Sequence, residues 1–216
     1  MFRARLGAFC VCVAVAGVLW TGCGETPAFV PPIVPADLQF VLDNPGPLTI
    51  SGNAEATQSA TPVQNAGDLD GCWGRAYEAT LVDIPATDSS PLAGQNQVTM
   101  QLFEVWRFNA AAQSVRYEIL LQEGDIPVSL VQVMSGTFSV PASGSVSIDF
   151  TKFEANDGTT AELQDIAPPS DPNGLPVSTV RVELSGDRLF FVDKDKTAAT
   201  SDPNDIWTLQ RFVCQD

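Results

Sequence analysis

From Asp68 onward the chain alternates apolar and polar residues with a period of two and shows no long helical period. Eight stretches carry the strand pattern: Gly71–Val82, Gln97–Phe108, Val115–Leu121, Val128–Ser139, Val146–Phe153, Val177–Leu184, Leu189–Asp193 and Ile206–Cys214. One short helix is expected at Thr160–Ile166. Asn109–Ser114, Val140–Ser145 and Ser185–Arg188 are short connections with turn-forming residues, whereas Asp83–Asn96, Glu154–Pro176 and Lys194–Asp205 are long and Gln122–Pro127 is the exception, a short connection among the long ones. In an up-and-down meander alternate connections fall at the same end, so one end is tight and the other loose. The pattern predicts an all-β fold over residues 68–216, an eight-stranded antiparallel up-and-down barrel. Such a barrel has no exposed sheet edge, and its inside holds side chains or one small ligand.

Ahead of the barrel the pattern changes twice. Arg3 and Arg5 precede an apolar run, Leu6–Trp20, and then Thr21, Gly22 and Cys23. A positive start, an apolar middle and small residues before a cut site read as a secretory leader over residues 1–22. An uncleaved anchor is the other reading, but the run is at the short limit for a span and no positive flank follows. Leu19-Trp20-Thr21-Gly22-Cys23 resembles the lipobox of bacterial lipoproteins, with Trp20 at the place where that family usually has Leu. The resemblance implies cleavage before Cys23, acylation of Cys23 and attachment to a membrane. Gly24, in place of Asp, implies the outer membrane of a two-membrane cell envelope. Residues 23–67 then form a Pro-rich tether. Seven prolines lie between Gly24 and Gly67, and no Lys or Arg occurs between Arg5 and Arg75, a composition that reads as a flexible, disordered linker. Within it, Asp37–Asp43 and Leu48–Ile50 form either a short helix or a hairpin arm.

Cys10 and Cys12 leave with the leader, and Cys23 takes the lipid. Cys72 and Cys214 remain, an even pair in an oxidising compartment, which reads as one disulfide, with two free thiols as the alternative. In a closed meander the first and last strands are neighbours. If the two cysteines face each other there, Trp73 opposes Val213, Tyr77 opposes Leu209, Ala79 opposes Trp207 and Arg75 opposes Arg211. One face of the pair is then apolar apart from the two arginines, and Glu104, alone in the apolar alternation Val98 to Phe108, is their candidate partner. Arg75 is expected to reach water near the barrel end, and Arg211 to be buried.

Composition narrows the chemistry. The chain of 216 residues carries 26 acids against 11 Lys and Arg, a net charge of -15, and no His. No basic surface is present to neutralise phosphates, so nucleic acid is not an expected partner. His-based acid–base catalysis and most zinc sites are excluded. The long connections are rich in acids, yet none has the alternating acids, Gly and closing Glu of a calcium loop, and no pair of carboxylates stands out for catalysis. No cofactor, metal or enzymatic activity is expected.

Gly71-Cys72-Trp73 at the start of the first strand is similar to the G-x-W signature that opens lipocalins and lipocalin-like bacterial domains. Glu104–Asn109, Gly136–Val140, Val182–Asp187 with Leu189–Phe191, and Trp207–Arg211 resemble the meander of those bacterial domains. The resemblance implies structural roles for Gly71, Trp73 and Arg211, the Arg packing over the Trp. The T-D-Y motif and the C-terminal helix of true lipocalins are absent from the sequence. The inward residues are then Trp73, Tyr77, Met100, Leu102, Trp106, Tyr117, Ile119, Ile148, Phe150, Trp207 and Leu209. They line a pocket for a small hydrophobic or amphipathic ligand, or they fill the barrel. The first reading makes the protein a noncatalytic binder at the envelope. The second makes it a structural lipoprotein with a solid core that meets another envelope protein.

Overall fold

A computed structural model describes residues 30–45, 54–82, 97–123, 129–156, 160–167, 179–192, 195–202 and 206–215. The leader, Cys23 and Leu48–Ile50 lie outside them, and no helix among the described residues is long and apolar enough to cross a membrane. The strands are β1 (Gly71–Val82), β2 (Gln97–Asn109), β3 (Ser114–Glu123), β4 (Ser129–Ala142), β5 (Ser145–Ala155), β6 (Thr179–Ser185), β7 (Arg188–Val192) and β8 (Trp207–Phe212). Each pairs antiparallel with the next, and β8 returns to β1. The eight strands therefore close into the expected antiparallel barrel, and the turns between β2 and β3, β4 and β5, and β6 and β7 form its tight end.

Two elements differ from expectation. Thr160–Ile166 holds no helix: Gln164 and Asp165 extend along the edge of β5, opposite Ala155 and Glu154. The Ile166 N–H donates to Phe153 O at 2.9 Å, so the strand edge takes the hydrogen bonding that a helix would have kept within itself. β4 also runs past its expected end and includes Pro141, at an interruption of the ladder between Ser139 and Ala142 where the missing N–H costs no pairing.

The register of the closing pair is offset by two residues from the sequence expectation. Trp73 opposes Arg211, not Val213, and Cys72 opposes Phe212. The chain leaves the sheet after Phe212, Val213 is 79% exposed, and Cys214 turns back to bond Cys72, with 5.3 Å between their Cα atoms. A shift of two keeps every residue on its face, so the apolar interior survives while the two arginines no longer stand opposite each other.

The walls differ in height. β1 and β2 share twelve residue pairs, whereas β8–β1 and β5–β6 share three each. β1 to β5 thus make a tall wall and β6 to β8 a short one. Gly136 marks a bulge in the tall wall opposite β5: a Cβ there would lie 1.9 Å from Asp149 O, so the close approach of the two backbones admits only Gly.

The chain ahead of Asp68 is partly built into the fold. Residues Ala36–Asp43 are helix α1, which resolves the helix-or-hairpin alternative for that segment. Ala54–Gln58 (α2) and Ala66–Leu69 (α3) follow, and Thr61–Pro62 pairs with the end of β6. The packed unit therefore begins before the expected boundary at Asp68. The spacing of Leu38, Val41 and Leu42 gives α1 an apolar stripe. Leu38 and Val41 are buried against Ala76, Phe103, Val105, Leu120, Val131 and Val133 on the outside of β1 to β4. These outward residues are apolar because α1 covers them. Leu38→Ala is expected to cost about 3 kcal/mol of folding free energy, read as a lower urea midpoint. A near-zero effect would mean that α1 is not docked. Asp37, 3% exposed, ties α1 to the end of the chain: Gln215 N donates to Oδ1 at 2.6 Å, and Arg107 Nη1 to Oδ2 at 3.2 Å. On the opposite flank buried Glu183 accepts from Arg181 Nε at 2.7 Å and from Ala198 N at 2.9 Å, which seats the short 3-10 turn Ala198–Thr200 against Phe190 and Val192.

Candidate functional site

The candidate site is the barrel interior. The period-two pattern brings all eleven predicted inward residues there: Trp73, Leu102, Trp106, Tyr117, Ile119, Ile148 and Leu209 are buried in one apolar cluster, and Tyr77, Met100, Phe150 and Trp207 pack against it partly buried.

The tight end is plugged. Val63 and Leu69, from the segment ahead of β1, belong to the interior cluster. Trp73 Nε1 donates to Leu69 O at 2.8 Å, Gly144 N to Val63 O at 2.7 Å and Ala110 N to Asp70 Oδ1 at 2.8 Å. Arg211 lies over Trp73, its guanidinium 5.0 Å from the ring centroid, and donates to Asp70 O. Gly71 has φ of 115°, a backbone conformation that other residues rarely adopt, and a Cβ there would only touch Arg211 Nη2, at 3.4 Å. The cation–π contact implied by the resemblance is present, but Arg211 is exposed rather than buried. It stacks on the barrel end, where its charge keeps water contact.

Arg75 is the inward arginine, the reverse of the expected placement. Its Nε donates to Glu104 Oε2 at 2.5 Å, and its side chain is 14% exposed. Trp207 Nε1 donates to the same oxygen at 2.9 Å. Tyr77 and Tyr117 hydroxyls donate to Oε1 at 3.0 and 3.1 Å. Glu104, 1% exposed, thus accepts from four donors, which fills the capacity of a carboxylate. Directly paired strands make this possible: Arg75 is opposite Glu104 and Trp106 opposite Tyr117. The guanidinium is held between two rings, 4.1 Å from the centroid of Tyr77 and 4.4 Å from that of Trp207. An isolated Glu in an apolar alternation is the sequence signal of this centre. Its Tyr and Trp donors lie on β1, β3 and β8, and only the closed barrel shows them converging.

Deeper in, Trp106 is packed among Tyr117 at 4.5 Å, Phe191 at 5.1 Å, Phe108 at 5.9 Å, and Phe150 and Trp207 at 6.0 Å between centroids. Its Nε1 is buried with no hydrogen-bond partner among the described residues. Toward the loose end Met100, Phe150, Val180 and Trp207 are half-buried while Leu121, Phe153 and Phe191 stay buried. On β2 exposure goes from 1% at Trp106 to 9% at Leu102 and to half-buried at Met100. Leu209 is closed off while Trp207 is half-buried, as are Val180 and Phe150 on the facing strands. The interior thus has a packed aromatic floor and, toward the loose end, a mixture of buried and half-buried side chains, with the short wall on one side. A separate shallow cavity of about 280 Å³ lies outside the barrel, lined by Ile33, Pro35, Arg116, Glu162 and Leu163.

Burial pushes the Tyr77 and Tyr117 hydroxyls well above their ordinary range; the Glu104 carboxylate raises them further and Arg75 opposes. These are the chain's two tyrosines. Free tyrosine ionises near pH 10, so the unfolded chain loses these protons while the folded chain keeps them. Stability is then unaffected below that pH and falls above it, by about 2.7 kcal/mol per pH unit for two groups. The expected result in an alkaline titration is no tyrosinate absorbance from the native protein, then its appearance together with loss of Trp fluorescence structure as the barrel unfolds. Tyrosinate forming near pH 10 with the fold intact would contradict the network.

Comparison with protein-family models, with curated proteins and with solved structures found no match for this chain.

Proposed function

We propose that this chain is an exported, lipid-anchored protein of a bacterial envelope, held by acylated Cys23, whose barrel binds a small hydrophobic or amphipathic molecule without chemical change. The observation that carries the binding reading is the set of half-buried apolar residues Met100, Phe150 and Trp207 beside the Arg75–Glu104 pair, above a plugged and buried floor. Half-buried apolar side chains next to a charged pair offer both apolar area and polar orientation, the usual composition of a small-molecule site. The lipoprotein part is supported by the leader and by Leu19–Cys23.

The aromatic packing around Trp106 favours a second reading, a solid-core barrel that serves as an envelope interaction module. Native mass spectrometry of protein isolated from its host envelope separates the two. A reproducible adduct released on denaturation establishes a binder and names its cargo. Bare protein supports the interaction module. The same spectra test the anchor, since acyl mass on Cys23 must vanish in Cys23→Ser.

A further inference from the structure

Among the described residues, the hydrogen-bonding capacity left at the Glu104 centre is of one kind. Glu104 is saturated by Arg75, Tyr77, Tyr117 and Trp207, so the centre has no acceptor to spare. What remains is donors. Arg75 spends its Nε on Glu104, and its terminal nitrogens make no hydrogen bond among the described residues. Trp106 Nε1, on a side chain 1% exposed, has no partner there either. Trp106 Nε1 is thus an orphaned buried donor, whereas the Arg75 terminal nitrogens keep water contact and are open to an incoming acceptor.

Charge then selects among acceptors. Arg75 and Glu104 neutralise each other at 2.5 Å, so the centre carries no free positive charge. An anionic head group entering beside Glu104 would be desolvated with no unspent counter-charge, under the field of a chain with net charge -15. A cationic head group would face the Arg75 guanidinium and find no free carboxylate oxygen. An uncharged acceptor meets neither penalty.

We propose that the barrel takes a neutral acyl amphiphile, an ester or amide, with its carbonyl oxygen received by the Arg75 terminal nitrogens between Tyr77 and Trp207, and with its chain along Met100, Leu102 and Phe150. This rests on the binding reading above. The planar, forked guanidinium, clamped between two rings, presents its donors in a fixed direction, as a carbonyl lone pair requires.

The test titrates the full mature protein with three twelve-carbon probes of different head group: N-methyl dodecanamide, dodecanoate and dodecyltrimethylammonium. Binding is followed at Trp73, Trp106 and Trp207, which all lie in the barrel. The expected result at neutral pH is an amide bound at least about tenfold tighter than either charged probe. Arg75→Lys, which keeps the charge pair with Glu104 but not the fork, is expected to remove that preference. Should this variant fold poorly, the carbonyl stretch of the carbon-13-labelled amide on the wild-type protein supplies the second readout, and a shift to lower frequency on binding is expected. Tightest binding of dodecanoate or of the ammonium probe, or an unshifted carbonyl, overturns the proposal and leaves the binding reading intact. No binding of any probe, with folded protein confirmed by its unfolding midpoint, overturns the binding reading itself.

Discussion

Glu104→Leu is expected to cost about 3–5 kcal/mol, a large share of the stability of a domain this size. The reason is what it leaves behind. Arg75 becomes a charge in the barrel interior without its counter-ion, and Tyr77, Tyr117 and Trp207 lose the acceptor for their hydrogens. Glu104→Gln keeps one acceptor oxygen and the side-chain volume, so its cost is expected to be smaller. The double variant Arg75→Met with Glu104→Leu removes both charges together. Replacing a buried ion pair with apolar residues is often close to neutral, so the pair is expected to recover part of the loss seen in Glu104→Leu alone. Urea unfolding followed by Trp fluorescence measures all three. A loss below about 1 kcal/mol in Glu104→Leu, or a double variant no more stable than Glu104→Leu alone, would mean that the carboxylate does not organise the interior.

Loss of the Cys72–Cys214 disulfide has the second large expected effect. The bond joins residues 142 apart in sequence, and the chain-entropy model assigns such a loop about 5 kcal/mol, with observed losses of about 2–5 kcal/mol in small exported domains. Its position adds to this. It sits beside the β8–β1 seam, which has three residue pairs to close the barrel. A second link, the Gln215 N–H bond to Asp37, holds the same tail to α1 without a sulfur. Cys72→Ser with Cys214→Ser is expected to unfold at a urea midpoint lower by the corresponding amount, and reduction of the wild-type protein should reproduce it. Equal midpoints with and without reductant would show that the seam holds without its covalent staple.

The strand count, the meander, the tight end and the inward residues were legible in the chain because period-two alternation and turn chemistry are local properties. Trp73, Trp106, Tyr117 and Leu209 face inward for no other reason than their place in that alternation. The pairing of Cys72 with Cys214 followed from elimination among few cysteines. The helix expected at Thr160–Ile166 failed because a two-residue stretch there is captured by the open edge of β5, a contact made by residues next to it in space. Docking of α1 had a sequence signal in the apolar outward positions Phe103, Val105, Val131 and Val133, which a barrel wall facing water would not carry.

The sequence by itself thus determined the barrel, its closed end and which side chains enter it. The tertiary structure decided the two-residue register of β8, the inward and outward exchange of Arg75 and Arg211, and the convergence of four donors on Glu104. Each of these depends on where distant strands meet after closure. A shift of two residues leaves the alternation unchanged, so the hydrophobic pattern cannot distinguish the registers, whereas charge separation and hydrogen-bond satisfaction inside the closed barrel do.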